Sequence, residues 1–240
     1  MIEQGSGPAL VLIPGLPGPW QFIRPAVDAL AASFRVLTMS LGPECTIESD
    51  VDRIVAALDE RRIDRAIVCG ISFGGLVALR FAATHPTRTA ALVLASSSGP
   101  GATLRPRHRL YVRWPHLFAP FFLIETPFRL RHELRWSLLR AALSAPRVSF
   151  SKIARRAQLI EQTDIAGDCR RVSAPTLVIT GEPDRDHVVP VDDTERYVSA
   201  IPAAEHVVLT GTGHLGSITH PGAFAVVIRS FVSRPHSEVA

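Results

Sequence analysis

The sequence predicts an α/β fold built on a doubly wound, mostly parallel sheet with a helical insertion, and three observations carry that expectation. Short, nearly continuous apolar runs recur along the 240 residues, each is followed by a stretch with helical periodicity, and the alternation breaks once, between about residues 100 and 170. Composition fits a globular core, since 47% hydrophobic and 20% charged residues with 19 Pro and 16 Gly exclude disordered, collagen-like and coiled-coil chains.

The strands come first. Residues 9–13 (ALVLI), 36–39, 66–70 (AIVCG), 90–95 (AALVLA), 176–180 (TLVIT) and 205–209 are four to six residues long and apolar at almost every position, as strands covered on both faces must be. Between them, Ile47, Val51, Ile54, Val55 and Leu58 fall on one helical face within 47–61, and 72–84 and 221–232 behave alike. His85-Pro86 reads as a helix end, and His220 precedes Pro221 at the start of the last helix.

Residues 104–164 read as a helical cap inserted into a core made of 1–103 and 165–240. This block holds 12 Arg or Lys against 4 Asp or Glu, a local charge of +8 in a chain of net +4. Arg with interleaved aromatics can serve a nucleic acid, and 118–124 (FAPFFLI) could touch lipid. The spacing of Arg105, Arg107, Arg109 and Arg113, and of Arg129, Arg131 and Arg135, fits instead solvated helix faces over an apolar underside. Neither a nucleic-acid partner nor stable membrane insertion is expected. The chain uses 25 Arg, one Lys and no Asn, a bias that codon economy explains and that leaves no Cys-His-Asn arrangement. Cys45, Cys69 and Cys169 are too scattered for a disulfide framework or a zinc site, and Cys69 reads as core. The first residues lack the charged and apolar regions of a signal peptide, so a cytoplasmic protein is expected.

Chemistry concentrates in Gly70-Ile71-Ser72-Phe73-Gly74, directly after the run 66–70 and opening a helix. GxSxG in that setting is a nucleophile elbow, with Ser72 on a strained turn and the Phe73 N–H beside it. A serine needs a base and a group to orient that base. Gly211-Thr212-Gly213-His214 follows the last strand, and Asp184 and Asp186 follow the run 176–180, in the order Ser, Asp, His. Gly211 to Gly216 also spells GxGxxG, but too little chain follows for a dinucleotide-binding unit. No cofactor and no metal is expected. His187 reads as a residue outside the reacting set.

With those motifs in order, nearly the whole chain resembles the α/β-hydrolase fold superfamily. Ile13-Pro14-Gly15-Leu16-Pro17-Gly18 is similar to its oxyanion loop, with Pro14 where the family usually carries His, and the usual N-terminal hairpin is nearly absent. The resemblance implies Ser72 as nucleophile, His214 as base, Asp186 as the acid, and the Leu16 and Phe73 amides as the oxyanion hole. Counting forward from Gly181 selects Asp184 instead; counting back from Val188-Val189-Pro190 selects Asp186, the expected acid. The implied activity is that of a serine hydrolase cleaving a small-to-medium carboxylic ester through an acyl-enzyme, with short acyl esters favoured over triglycerides. The same residue set also serves carbon–carbon bond, lactone and thioester hydrolysis and acyl transfer, and the same fold serves non-catalytic ligand binders.

Overall fold

The computed structural model describes residues 1–104, 106–115, 117, 148–202 and 204–234. Seven strands form one sheet: β1 (Ile2–Gln4), β2 (Ala9–Ile13), β3 (Arg35–Thr38), β4 (Ala66–Ile71), β5 (Thr89–Ala95), β6 (Thr176–Thr180) and β7 (Glu205–Val208), in the order β1-β3-β2-β4-β5-β6-β7. All neighbours pair parallel except β1, which runs antiparallel to β3. The doubly wound, mostly parallel sheet expected from the sequence is therefore present.

The apolar runs are continuous because each face of the sheet meets helices. In β2, Val11 and Ile13 point into one core layer and Leu10 and Leu12 into the other; in β5, Leu92 and Leu94 face the first layer and Val93 and Ala95 the second. The first layer is closed by α2 (Ile47–Glu60), α3 (Gly74–Thr84), α6 (Ile165–Arg171) and α7 (Val191–Ala200). The second is closed by α1 (Arg24–Leu30), α8 (Gly216–Thr219) and α9 (Pro221–Val232), with α1 packed along α9. Leu92, Val93 and Val178 are wholly buried, and cutting Leu92 back to alanine forfeits about 2–5 kcal/mol.

The strand β1 lies outside the runs that the sequence marks. It is three residues long and mostly exposed, and its Glu3 is held by Arg35 from β3 and by Arg61 beyond α2. Of the expected insertion 104–164, two helices are described: α4 (Pro106–Arg113) and α5 (Phe150–Gln162), which pack on each other and share the Arg109–Glu161 ion pair at 2.7 Å. Residues 105, 116 and 118–147 lie outside the described residues, and with them the expectations placed on Arg105, 118–124, Arg129, Arg131 and Arg135. Among the described residues, no helix is long and apolar enough to cross a membrane.

The chain leaves β2 for β3 on one side and returns to β4 on the other. The carboxyl ends of β2 and β4 therefore border the crevice where open α/β sheets place their sites.

Candidate active site

Ser72 sits between β4 and α3 with φ +54°, in the left-handed region that a side chain with a Cβ enters only at a cost. Two backbone bonds hold it there: Ser72 N–H donates to Ala95 O at 2.8 Å and Gly75 N–H donates to Ser72 O at 2.9 Å. The turn is tight enough that a Cβ at Gly70 would lie 2.2 Å from Gly74 O, and one at Gly74 would lie 2.4 Å from Ile13 O. Glycines at both positions are what let the strand fold back into α3. The result is a hydroxyl raised over the carboxyl edge of the sheet at the N-terminus of α3, where free N–H groups and the helix dipole favour negative charge.

The other two residues arrive on loops from β6 and β7. His214 Nε2 lies 3.2 Å from Ser72 Oγ, and its Nδ1 lies 3.2 Å from Asp186 Oδ2. With the Nδ1–H donating to the carboxylate, Nε2 is left as the acceptor for the serine hydroxyl. The His214 and Asp186 side chains are 7% and 2% exposed, so the relay is largely shielded from water, where such bonds weigh more.

A buried carboxylate needs partners. The other Asp186 oxygen accepts the N–H groups of Val188 and Val189, both at 3.0 Å, which fixes the plane of the carboxylate toward His214. Asp184 stands exposed on the preceding turn. The structure thus brings Asp186, and not Asp184, to the histidine. The backbone explains it: the loop turns on itself when Arg185 and Asp186 both donate to Glu182 O, at 3.0 and 3.1 Å.

Leu16 follows β2 and Phe73 follows Ser72, so both amides lie at the same crevice. A Cβ at Gly15 would be 3.3 Å from Ser72 Cβ and 3.7 Å from its Oγ, which measures how closely the 13–18 loop approaches the hydroxyl. Neither the Leu16 nor the Phe73 N–H donates to a described acceptor.

Two residues in this region are not among those marked from the sequence, and only Arg156 carries a signal that could have found it. Glu182 links the two loops: its N–H donates to Thr212 O at 2.8 Å and its Oε1 accepts Gly211 N–H at 2.7 Å. The Gly211 N–H, and after it the Arg185 guanidinium, outweigh the little burial it has and hold Glu182 below the ordinary carboxylate range. Arg156 belongs to the basic block of 104–164 yet is only 2% exposed. Its sequence signal is its helical register, three residues after Ile153 and four before Ile160, both on the buried face of α5. Cys69 is in the core and burial pushes its thiol up, away from reactivity. Among the described residues, no group of three His, Cys, Asp or Glu side chains is placed to hold a metal.

Ser72, His214 and Asp186 thus form one hydrogen-bonded chain at the crevice. The model of the alpha/beta hydrolase family matches residues 10–227, and the chain belongs to that family. It is 24% identical over 259 aligned positions to a pyrrolizixenacetamide deacetylase of Xenorhabdus hominickii, covering 95% of this chain and 92% of that one. It is 25% identical over 256 positions to a pimeloyl-[acyl-carrier protein] methyl ester esterase of Vibrio vulnificus, covering 96% of each. The structure of the enol-lactonase from Burkholderia xenovorans LB400 superposes with a TM-score of 0.78 at 22% identity, over 97% of this chain and 95% of that one. The protein is, at this level, an enzyme of the hydrolase class.

Proposed function

We propose that the protein is a serine hydrolase that cleaves a small-to-medium carboxylic ester through an acyl-enzyme intermediate. The observation that carries this reading is the continuous relay from Ser72 Oγ through both ring nitrogens of His214 to Asp186, with the serine on a left-handed turn at the head of α3.

The chemistry follows from the atoms. Ser72 Oγ adds to the ester carbonyl carbon while its proton passes to His214 Nε2. The carbonyl oxygen takes the negative charge, and the Leu16 and Phe73 N–H groups receive it. Preorganised donors of this kind are worth roughly 10²- to 10³-fold in rate each. Collapse of the tetrahedral species breaks the bond to the alkoxy oxygen, which leaves with the proton from Nε2. A water then repeats the sequence on the acyl-enzyme, releasing the acid and restoring the Ser72 hydroxyl. Asp186 keeps the proton on Nδ1 throughout and stabilises the imidazolium without taking its proton.

Helices α4 and α5, the described helices of 104–164, belong in this reading to a cap over the crevice. The contact between α4 and α5 and the buried underside of α5 support it, and an enclosed apolar pocket favours short acyl groups. The relatives named above as a deacetylase and a methyl ester esterase both transfer an acyl group to water, in keeping with the same site chemistry. A series of p-nitrophenyl esters of increasing acyl length tests the function directly: turnover highest at short acyl lengths is expected, and trioleate outpacing butyrate esters contradicts the enclosed pocket.

A further inference from the structure

Arg156 reaches out of α5 into the loop that carries the Leu16 amide. Its Nη1 donates to Leu16 O at 3.1 Å and Pro17 O at 3.5 Å, while its Nη2 donates to Gly42 O at 3.1 Å and Leu41 O at 3.4 Å. One planar guanidinium therefore clamps the loop after β2 to the loop after β3, a span that its fixed fork of donors suits and a point-like ammonium does not. The same two loops also meet through Leu41 N–H, which donates to Gly18 O at 2.9 Å, and the 15–18 turn is closed by Gly18 N–H donating to Gly15 O at 3.0 Å.

The clamp extends to a buried carboxylate. Gly42, whose carbonyl takes Arg156 Nη2, donates its own N–H to Asp50 Oδ1 at 2.7 Å, and that oxygen also accepts Arg53 Nη1 at 3.0 Å. The backbone of Gly42 thus bridges a buried cation and a buried anion. This is a costly arrangement, because Arg156 Nε is buried with no hydrogen-bond partner among the described residues and an unmade bond to a charged group opposes folding. Apolar side chains of similar volume often replace buried charges without loss of stability. What an apolar side chain would not do is hold the Leu16 and Pro17 carbonyls.

We propose that Arg156 is a positioning residue for the Leu16 N–H: by binding the carbonyls of Leu16 and Pro17 and tying them to Leu41 and Gly42, it fixes the peptide that directly follows this amide and so the orientation of Leu16 beside Ser72. This rests on the serine-hydrolase reading above. The carbonyl of Leu16, bound to Arg156, fixes ψ of the residue whose N–H is to receive the oxyanion, and Pro17 already restricts the conformation of Leu16. The residue acts on the donor and does not touch the reacting atoms, so its contribution falls in the transition state and not in substrate binding.

The test compares Arg156→Met with wild type on a short p-nitrophenyl ester, with circular dichroism to establish folding, and with Arg155→Met as a control that removes the same charge from the exposed face of α5. Arg156→Met is expected to lower kcat on the order of 10²-fold, with KM within about threefold. An alkyl trifluoromethyl ketone, which forms the oxyanion covalently on the serine, should weaken by the same factor as kcat/KM. Arg155→Met should leave all three unchanged. Arg156→Lys, which keeps the charge but not the span, should lose about tenfold, and it decides the matter if the Met variant does not fold. A folded variant with kcat and ketone affinity within about threefold of wild type overturns the proposal, as does a rise in KM at unchanged kcat. Wild-type protein that turns over no ester of the series rejects the serine-hydrolase reading instead. Hydrogen exchange of the 14–18 segment then decides the positioning role alone: faster exchange in Arg156→Met supports it, unchanged exchange overturns it.

Discussion

The carboxylate of Glu182 accepts the Gly211 N–H at 2.7 Å, so the loop carrying Asp186 and the loop carrying His214 are joined at their bases by one side chain. Asp186 and His214 meet at 3.2 Å higher on the same two loops. Glu182→Ala should lower turnover by about three- to thirty-fold without changing the ester preference, within the roughly 10²-fold that a misplaced group costs; steady-state kinetics on purified variants check it.

The pH dependence of the same contact has a definite sign. Glu182 is held below its ordinary value of 4.5 by the Gly211 N–H and then by Arg185. A depressed carboxylate stabilises the folded state above the unfolded value, and that contribution is lost as pH falls through the folded one. The melting temperature of wild type should therefore exceed that of Glu182→Gln at neutral pH, and the gap should close on acidification below about pH 4.5. A gap that persists or widens in acid would show that the charge is not what joins the loops.

Asp186 and Asp184 are two residues apart and only Asp186 meets the imidazole. Asp186→Asn should cut turnover by about 10³- to 10⁴-fold by destabilising the required tautomer. Asp184→Asn, on an exposed turn, should cost less than about tenfold. The reverse ranking in folded proteins would move the role to Asp184.

Asp168 is fully buried and binds Arg80 of α3 at 2.8 Å as well as Arg171, pinning α6 to the helix that Ser72 opens. Removing it strands part of that charge, although Arg80 keeps Glu48 at 2.6 Å. Asp168→Ala should destabilise by about 3 kcal/mol, which thermal denaturation would read as a fall of about 6–12 °C in Tm.

The sheet was legible because burial on both faces makes its central strands apolar at almost every position, as β2, β4 and β6 show. That same uniformity hides which helix layer each residue faces; Val11 and Leu12 look alike and belong to opposite cores. The strand β1 escaped because its pairing with β3 and the Glu3 ion pairs are contacts between distant segments, with little apolar pattern of its own. Ser72 and His214 could be named from their glycine-rich loops beside strands, whereas Asp186 and Asp184 differ only in how the loop backbone folds over Glu182. Arg156 is the extreme case, since its carbonyl partners lie 114 to 140 residues away.

In the proposed function Ser72 is an activated nucleophile. Reaction with a fluorophosphonate probe followed by peptide mass spectrometry is the direct measurement. A single adduct on Ser72 is predicted, lost together with ester turnover in Ser72→Ala, which should fall on the order of 10⁴-fold or more while the fold persists. An adduct on another residue, or near wild-type turnover by Ser72→Ala freed of contaminating esterases, would contradict it.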